Sequence, residues 1–291
     1  MISVRHLLVV CGLPVVVAAE GVTTEGSLTA TWNDNLSHSA QAADCRQATV
    51  FSADGSFSQR IPLTRDLALL AGGSADVETC PRYDGLDTLG AVARLAAREK
   101  FGLGALAPVL SLSAEAGASS FRESARNGWS AKASVGLAKR FDEAWRAALN
   151  AEWSHQDARQ TVFDRENRAL SAELSWDLSD HWQIAAGASR QWGQQEANAS
   201  WNSWSYVTSG AAGPALANYY EQVPDTYSNT FGSGWIAYRI EGHTDLGWIS
   251  ISPALAPNTA LPLRYQVVEV HGGAGTRYLS HQLSLSLVHR F

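Results

Sequence analysis

The chain is short of charge, short of sulfur and short of long apolar runs. Only 17% of its 291 residues are Asp, Glu, Lys or Arg, yet it carries 11 Trp, 8 Tyr and 8 Phe. Disordered chains are charged and poor in aromatics, so this composition argues for an ordered fold. The net charge is −6 and no run of Lys or Arg occurs, which argues against a nucleic-acid partner. Beyond the first twenty residues, no apolar stretch approaches the roughly 18–20 residues a spanning helix needs. Helical membrane proteins are therefore excluded. Metal-site spacing of the Cys/His type is missing. The glycine clusters Gly102-Leu103-Gly104 and Gly272-Gly273-Ala274-Gly275 lack the Lys-Ser/Thr of a phosphate loop. No metal or cofactor is expected.

Residues 1–19 read as a secretory signal peptide. Arg5 gives the positive start, Leu7 to Val17 the apolar stretch and Val17-Ala18-Ala19 the small-residue cleavage site, the order that export signals follow. Residues 20–291 form the remaining domain. Export leaves Cys45 and Cys80 as an even pair in an oxidising compartment, and a disulfide between them is expected.

What the chain has in abundance is alternation with period two. From Leu279 onward the odd positions are Leu279, His281, Leu283, Leu285, Leu287, His289 and Phe291, and the even ones Ser280, Gln282, Ser284, Ser286, Val288 and Arg290. In a strand these sets project to opposite faces. The segments around residues 89–96, 129–138, 145–154, 170–178 and 182–189 repeat the scheme. Near 235–240 and 246–252 apolar residues occupy both phases, and boundaries there are poorly marked. The non-apolar face is mostly Ser, Ala, Gly and Gln, whereas an open solvent face would carry more Lys and Glu. Trp129, Trp145, Trp153, Trp176, Trp182 and Trp192 fall at segment ends, as in the aromatic girdles of membrane barrels.

Short links at 62–65, 141–144 and 178–181 alternate with long ones at 34–48, 120–128, 197–229 and 253–277. Tight periplasmic turns alternating with extended external loops produce that pattern. The expected fold is all-β, a transmembrane antiparallel up-and-down β-barrel of about twelve strands, with ten or fourteen as alternatives. Strands are expected near 26–33, 50–61, 66–78, 86–99, 106–118, 129–140, 145–156, 167–178, 182–195, 229–241, 244–253 and 277–291. An even count places Cys45 and Cys80 in external loops on one side.

The closing segment Tyr278-Leu-Ser-His-Gln-Leu-Ser-Leu-Ser-Leu-Val-His-Arg-Phe291 resembles the C-terminal assembly signal of Gram-negative outer-membrane β-barrel proteins. The resemblance implies a bacterial outer-membrane location, surrounding outer-membrane lipid, and recognition of Phe291 by the barrel-assembly machinery. Thr31-Trp32-Asn33-Asp34-Asn35-Leu36-Ser37 more faintly resembles the opening of surface-lipoprotein translocator barrels, although the helical-repeat domain of those proteins is lacking.

The face expected to line the lumen carries Arg94, Arg98, Glu115, Lys132, Arg140, Arg146, Glu152, Glu173 and Asp177. Charges of both signs allow two readings: a transverse field across a polar pore, or a salt-bridged lattice that closes it. The loop from Ala197 to Asn229, with Trp201, Trp204, Tyr206, Tyr219 and Tyr220, is the expected seat of specificity, either folding inward or capping the mouth. Catalytic residues are not evident. Ser154 and His155 are neighbours, but adjacent strand residues point to opposite faces. His38 with Asp34 and Asp44 reads as a solvated loop. The working function is porin-like passage of a small polar solute. The second is a non-conducting structural barrel or export partner for a periplasmic protein or lipoprotein, and the third an outer-membrane hydrolase.

Overall fold

The computed structural model describes residues 21–204, 227–228, 230–273 and 276–291. The signal segment expected at 1–19 lies outside these residues, as do Tyr206, Tyr219 and Tyr220. Twelve long strands run in chain order: β1 (Val22–Asn33), β2 (Ala48–Pro62), β3 (Leu67–Thr79), β4 (Thr88–Lys100), β5 (Val109–Phe121), β6 (Gly128–Arg140), β7 (Trp145–Ala158), β8 (Arg165–Ser179), β9 (Trp182–Ser200), β10 (Trp235–Ala256), β11 (Leu263–Gly272) and β12 (Arg277–Arg290). Two-residue bridges at Tyr227–Ser228 and Thr259–Ala260 flank β10. Each strand pairs antiparallel with the next, and β1 closes on β12 from Glu25↔Arg290 to Asn33↔Gln282. The result is a closed up-and-down barrel. Among the described residues no helix is long and apolar enough to cross a membrane.

Closure removes every sheet edge, which is what lets strands sit in a medium offering no hydrogen bonds. At the seam, inward hydroxyls pair across the ladder: Thr29 with Ser286 at 2.8 Å and Thr31 with Ser284 at 2.9 Å. The opposite phase of the same strands exposes Leu28, Trp32, Leu283, Leu285 and Leu287. This barrel is inside out relative to a soluble one: its large apolar side chains face outward. Trp129, Trp153, Trp192 and Trp32 ring one end, while Trp145, Trp176 and Trp182 mark the other. Trp145 and Trp176 stack face to face at 5.4 Å.

The strand count matches expectation, but by two offsetting differences. The two strands expected at 229–241 and 244–253 are replaced by the single strand β10, which starts only at Trp235, and β11 lies inside the stretch expected as a loop from 253 to 277. The cause is burial on both faces. Residues 235–240 are all buried, so they carry no period-two signal, and β11 places Val267, Val268 and Val270 on alternate sides.

The disulfide expectation is corrected as well: Cys45 and Cys80 are both free. Cys45 lies in a tight turn, its Sγ directed at the carbonyls of Ser39 (3.8 Å) and Gln41 (3.6 Å). Cys80 is fully buried against Ala48, Tyr83, Phe231 and Trp235. Sharing one end of the barrel does not bring two thiols into bonding geometry. Burial raises the pKa of each, most directly by desolvation, which keeps both protonated and unreactive.

Candidate functional site: a capped, charge-lined lumen

The pleat decides which side chains enter the lumen. On β4 to β8 the outward phase holds Leu89, Leu95, Leu112, Val135, Leu149, Leu170 and Leu174, and the other phase holds the charged residues. Arg94 pairs with Glu115 at 3.2 Å, Lys132 with Glu152 at 3.6 Å and Arg140 with Asp177 at 3.2 Å. The first two link directly neighbouring strands and the third skips only β7, so these ion pairs run along the wall. Their cations stay open to solvent, with side-chain exposures of 53% for Arg94, 44% for Lys132 and 41% for Arg140. A packed interior would bury them. This interior is hollow.

Arg290 pairs with Glu25 across the seam at 3.1 Å, whereas Arg60, Arg98 and Arg146 have no opposite partner within ion-pair distance among the described residues. Arg98 sits within electrostatic reach of Arg60, Arg94 and Arg146, and Arg60, Arg98 and Arg146 all occupy the strand ends next to the short turns. Asp54, Asp76 and Glu78 gather on β2 and β3, nearer the long loops; Asp54 accepts a hydrogen bond from Ser27 at 3.0 Å. Thus these two groups of like charge lie toward opposite ends of the barrel. Sequence reasoning listed Arg98 and Arg146 but missed Arg60, Asp54 and Asp76, because the phase of β2 and β3 was not followed. Glu173 faces Arg264 of β11, whose guanidinium lies 4.3 Å over the Trp248 ring. Gly187 leaves room for that indole, since a Cβ there would meet it at 2.7 Å. A cavity of 340 Å³ opens among Val92, Glu115, Lys132, Ser154, Arg165 and Asn167.

At the long-loop end the mouth is covered. Gly193, Gly242 and Gly272 stand side by side on β9, β10 and β11. Gly193 takes φ +133°, where a side chain would be strained. Beyond this glycine line β9 and β10 are buried on both faces. Their overhang contacts loops from around the rim. Asn198 donates to the Ser37 carbonyl (3.1 Å), and the Ser200 amide donates to Asp44 (2.9 Å). Phe231 packs edge-on against Tyr83 at 5.1 Å. Thr230 donates to Glu123, and Arg239 donates to the carbonyls of Thr161 (2.9 Å) and Asp164 (3.1 Å). The central tie is Arg126, buried over the Phe163 ring, donating to both oxygens of buried Glu196 at 2.9 and 2.6 Å.

Of the loop aromatics expected to give specificity, Trp204 packs against Tyr238 in this cap and Trp201 is exposed. His38 stacks on Tyr278 at 5.7 Å, while Asp34 accepts from the His281 amide and Asp44 from Ser200; the three do not converge. Outside the barrel, His155 lies between Trp129 (5.2 Å) and Trp153 (6.1 Å), turned away from Ser154. Phe291 is exposed, and its amide donates to the Thr24 carbonyl at 3.0 Å.

A family model described as "Putative MetA-pathway of phenol degradation" matches residues 95–202. A search of curated proteins finds no match. Among solved structures, the COG4313 outer membrane channel from Pseudomonas putida F1 is 13% identical, the match covering 94% of this chain and 97% of that one with a TM-score of 0.56. This is a likeness of fold, and it joins the outward apolar belt and the hollow interior. The chain is an outer-membrane β-barrel. Matches at lower similarity include the KdgM porin (8% identity, 92% and 99% covered, TM-score 0.47) and the NanC porin (7%, 91% and 98%, 0.47). The barrel's place is the bacterial outer membrane, with the aromatic rings of its two ends at the two interfaces.

Proposed function

We propose that this barrel is a porin-like channel for small polar solutes, with the β9–β10 overhang constricting its external mouth. The observation that carries the reading is the exposure of inward-pointing Arg94, Lys132 and Arg140 beside their wall-hugging partners. Charges that pair along the wall leave the axis to water, which favours the pore over the closed lattice. The unpaired Arg60, Arg98 and Arg146 at the periplasmic end favour anions there, since a ring of one sign selects ions of the other. A non-enzymatic role is supported by His155, which serves the aromatic girdle on the opposite face from Ser154. The signal segment at 1–19 and reading of Phe291 by an assembly machinery belong to the same proposal.

Planar bilayers test it. The purified protein is expected to give discrete conductance steps, with a reversal potential in a KCl gradient that shifts toward cation preference when Arg60, Arg98 and Arg146 are all replaced by Gln. A silent bilayer at all voltages, for the wild type and for a variant with the cap released, would contradict the channel and leave the structural-barrel reading.

A further inference from the structure

On the outer wall, level with Trp192 and just below it, four neighbouring strands bring ionisable side chains together on the lipid side. His243 of β10 stands directly opposite His271 of β11, with the two imidazoles stacked at 4.8 Å and 11°. Asp245, two residues along and hence on the same face, places Oδ2 3.7 Å from His243 Nε2. Glu269 lies opposite Asp245 and 3.1 Å from His271 Nε2. Arg190 of β9 donates to both Asp245 oxygens at 2.6 and 2.8 Å, and Arg277 of β12 pairs with Glu269. One ring nitrogen from each histidine and one Asp245 oxygen fall within 4.8 Å of one another. All three side chains are about one-third exposed.

Two imidazoles in ring contact repel when both are protonated, yet both can serve a shared cation when neutral. Each is flanked by a carboxylate, the kind of neighbour that fixes ring orientation and raises ligand basicity. Two imidazole nitrogens and one carboxylate oxygen suit Zn²⁺ and similar ions, whereas Mg²⁺ and Ca²⁺ take oxygen sets. We propose that His243, His271 and Asp245 form an external site for a divalent transition-metal ion, Zn²⁺ by preference, oriented by Glu269 and Arg190. Nitrogen ligands about 2.0–2.1 Å from tetrahedral Zn²⁺ stand roughly 3.3 Å apart, so binding draws the three side chains inward by rotation. Asp245 then gives up one of its two Arg190 hydrogen bonds. The ion clips β10 to β11 just below the glycine line where the cap begins. This site is independent of conduction.

Zinc chloride titrated calorimetrically into the full barrel in detergent, with Co²⁺ absorption as a second readout, tests the proposal. One ion per barrel is expected. The combined His243→Ala and His271→Ala variant should lose at least the roughly 10–100-fold that disturbing an orienting partner alone costs. Asp245→Asn, which preserves size, should also weaken binding, and it decides the question if the double variant does not assemble. A wild-type barrel that binds no Zn²⁺, or variants that bind it with wild-type stoichiometry and affinity, would overturn the site.

Discussion

Within the membrane band and above it, the same strands obey different rules. From Trp182 to Trp192, β9 alternates between lipid and lumen; from Gln195 to Ala199 every residue is buried. β10 mirrors this, buried through residues 235–240 and alternating from Gly247 to Ser252. In the band each side chain meets one of two fixed media, so the pleat alone sorts residues. In the overhang both faces meet protein, and specific partners replace the period. The fold line between the two regimes is the row of Gly193, Gly242 and Gly272.

The largest effect should come from the cap's buried ion pair. Arg126→Ala leaves Glu196 charged and unpaired beneath the overhang, a loss of about 3–5 kcal/mol for a buried pair broken on one side. Limited proteolysis should then cut the 34–47 and 122–127 loops while the barrel keeps its heat-dependent mobility on SDS gels, and bilayer conductance should rise. Collapse of the barrel along with the cap would break the distinction between the two regions.

Next in size is a charge placed on one or the other face of a single strand. Leu285→Arg puts a guanidinium into lipid near mid-membrane and should lower barrel stability by about 2–4 kcal/mol. Ser284→Arg, one residue away, points into the lumen and should alter conductance while leaving stability far less affected. Denaturant titration of both variants in detergent checks the contrast, and equal losses would blur it.

A smaller effect is expected of pH on the cap. Desolvation lowers the His38 pKa from its ordinary 6.5, opposed by Glu196 and aided by Arg165 and Arg126. A histidine whose pKa is lowered on docking binds more protons when undocked, so docking is strongest above about pH 6.5 and weakens as pH falls below it. Hydrogen exchange in residues 35–46 should speed up on acidification, and His38→Gln should flatten that dependence.

These two regimes also explain what could be read from the chain. The barrel and its outward phase were legible because alternation between lipid and lumen is written residue by residue from Gly128 to Trp192 and again from Leu279. β11 was not, because Val267, Val268 and Val270 bridge both phases at the edge of the cap. Arg126 and Glu196 lie 70 residues apart, and neither has a local pattern that marks it. The His243–His271 pair was invisible for the same reason, since only the β10–β11 register makes them neighbours. Cys45 and Cys80 show the converse: compartment and parity suggested a bond that the loop geometry does not make.

The central claim is that one face of each strand meets lipid and the other meets water. With both loop cysteines replaced, single cysteines at 283, 284, 285 and 286 in lipid vesicles test it through labelling by a water-soluble thiol reagent. Labelling at 284 and 286 with protection at 283 and 285 is the predicted result; uniform labelling, or the opposite phase, would contradict it.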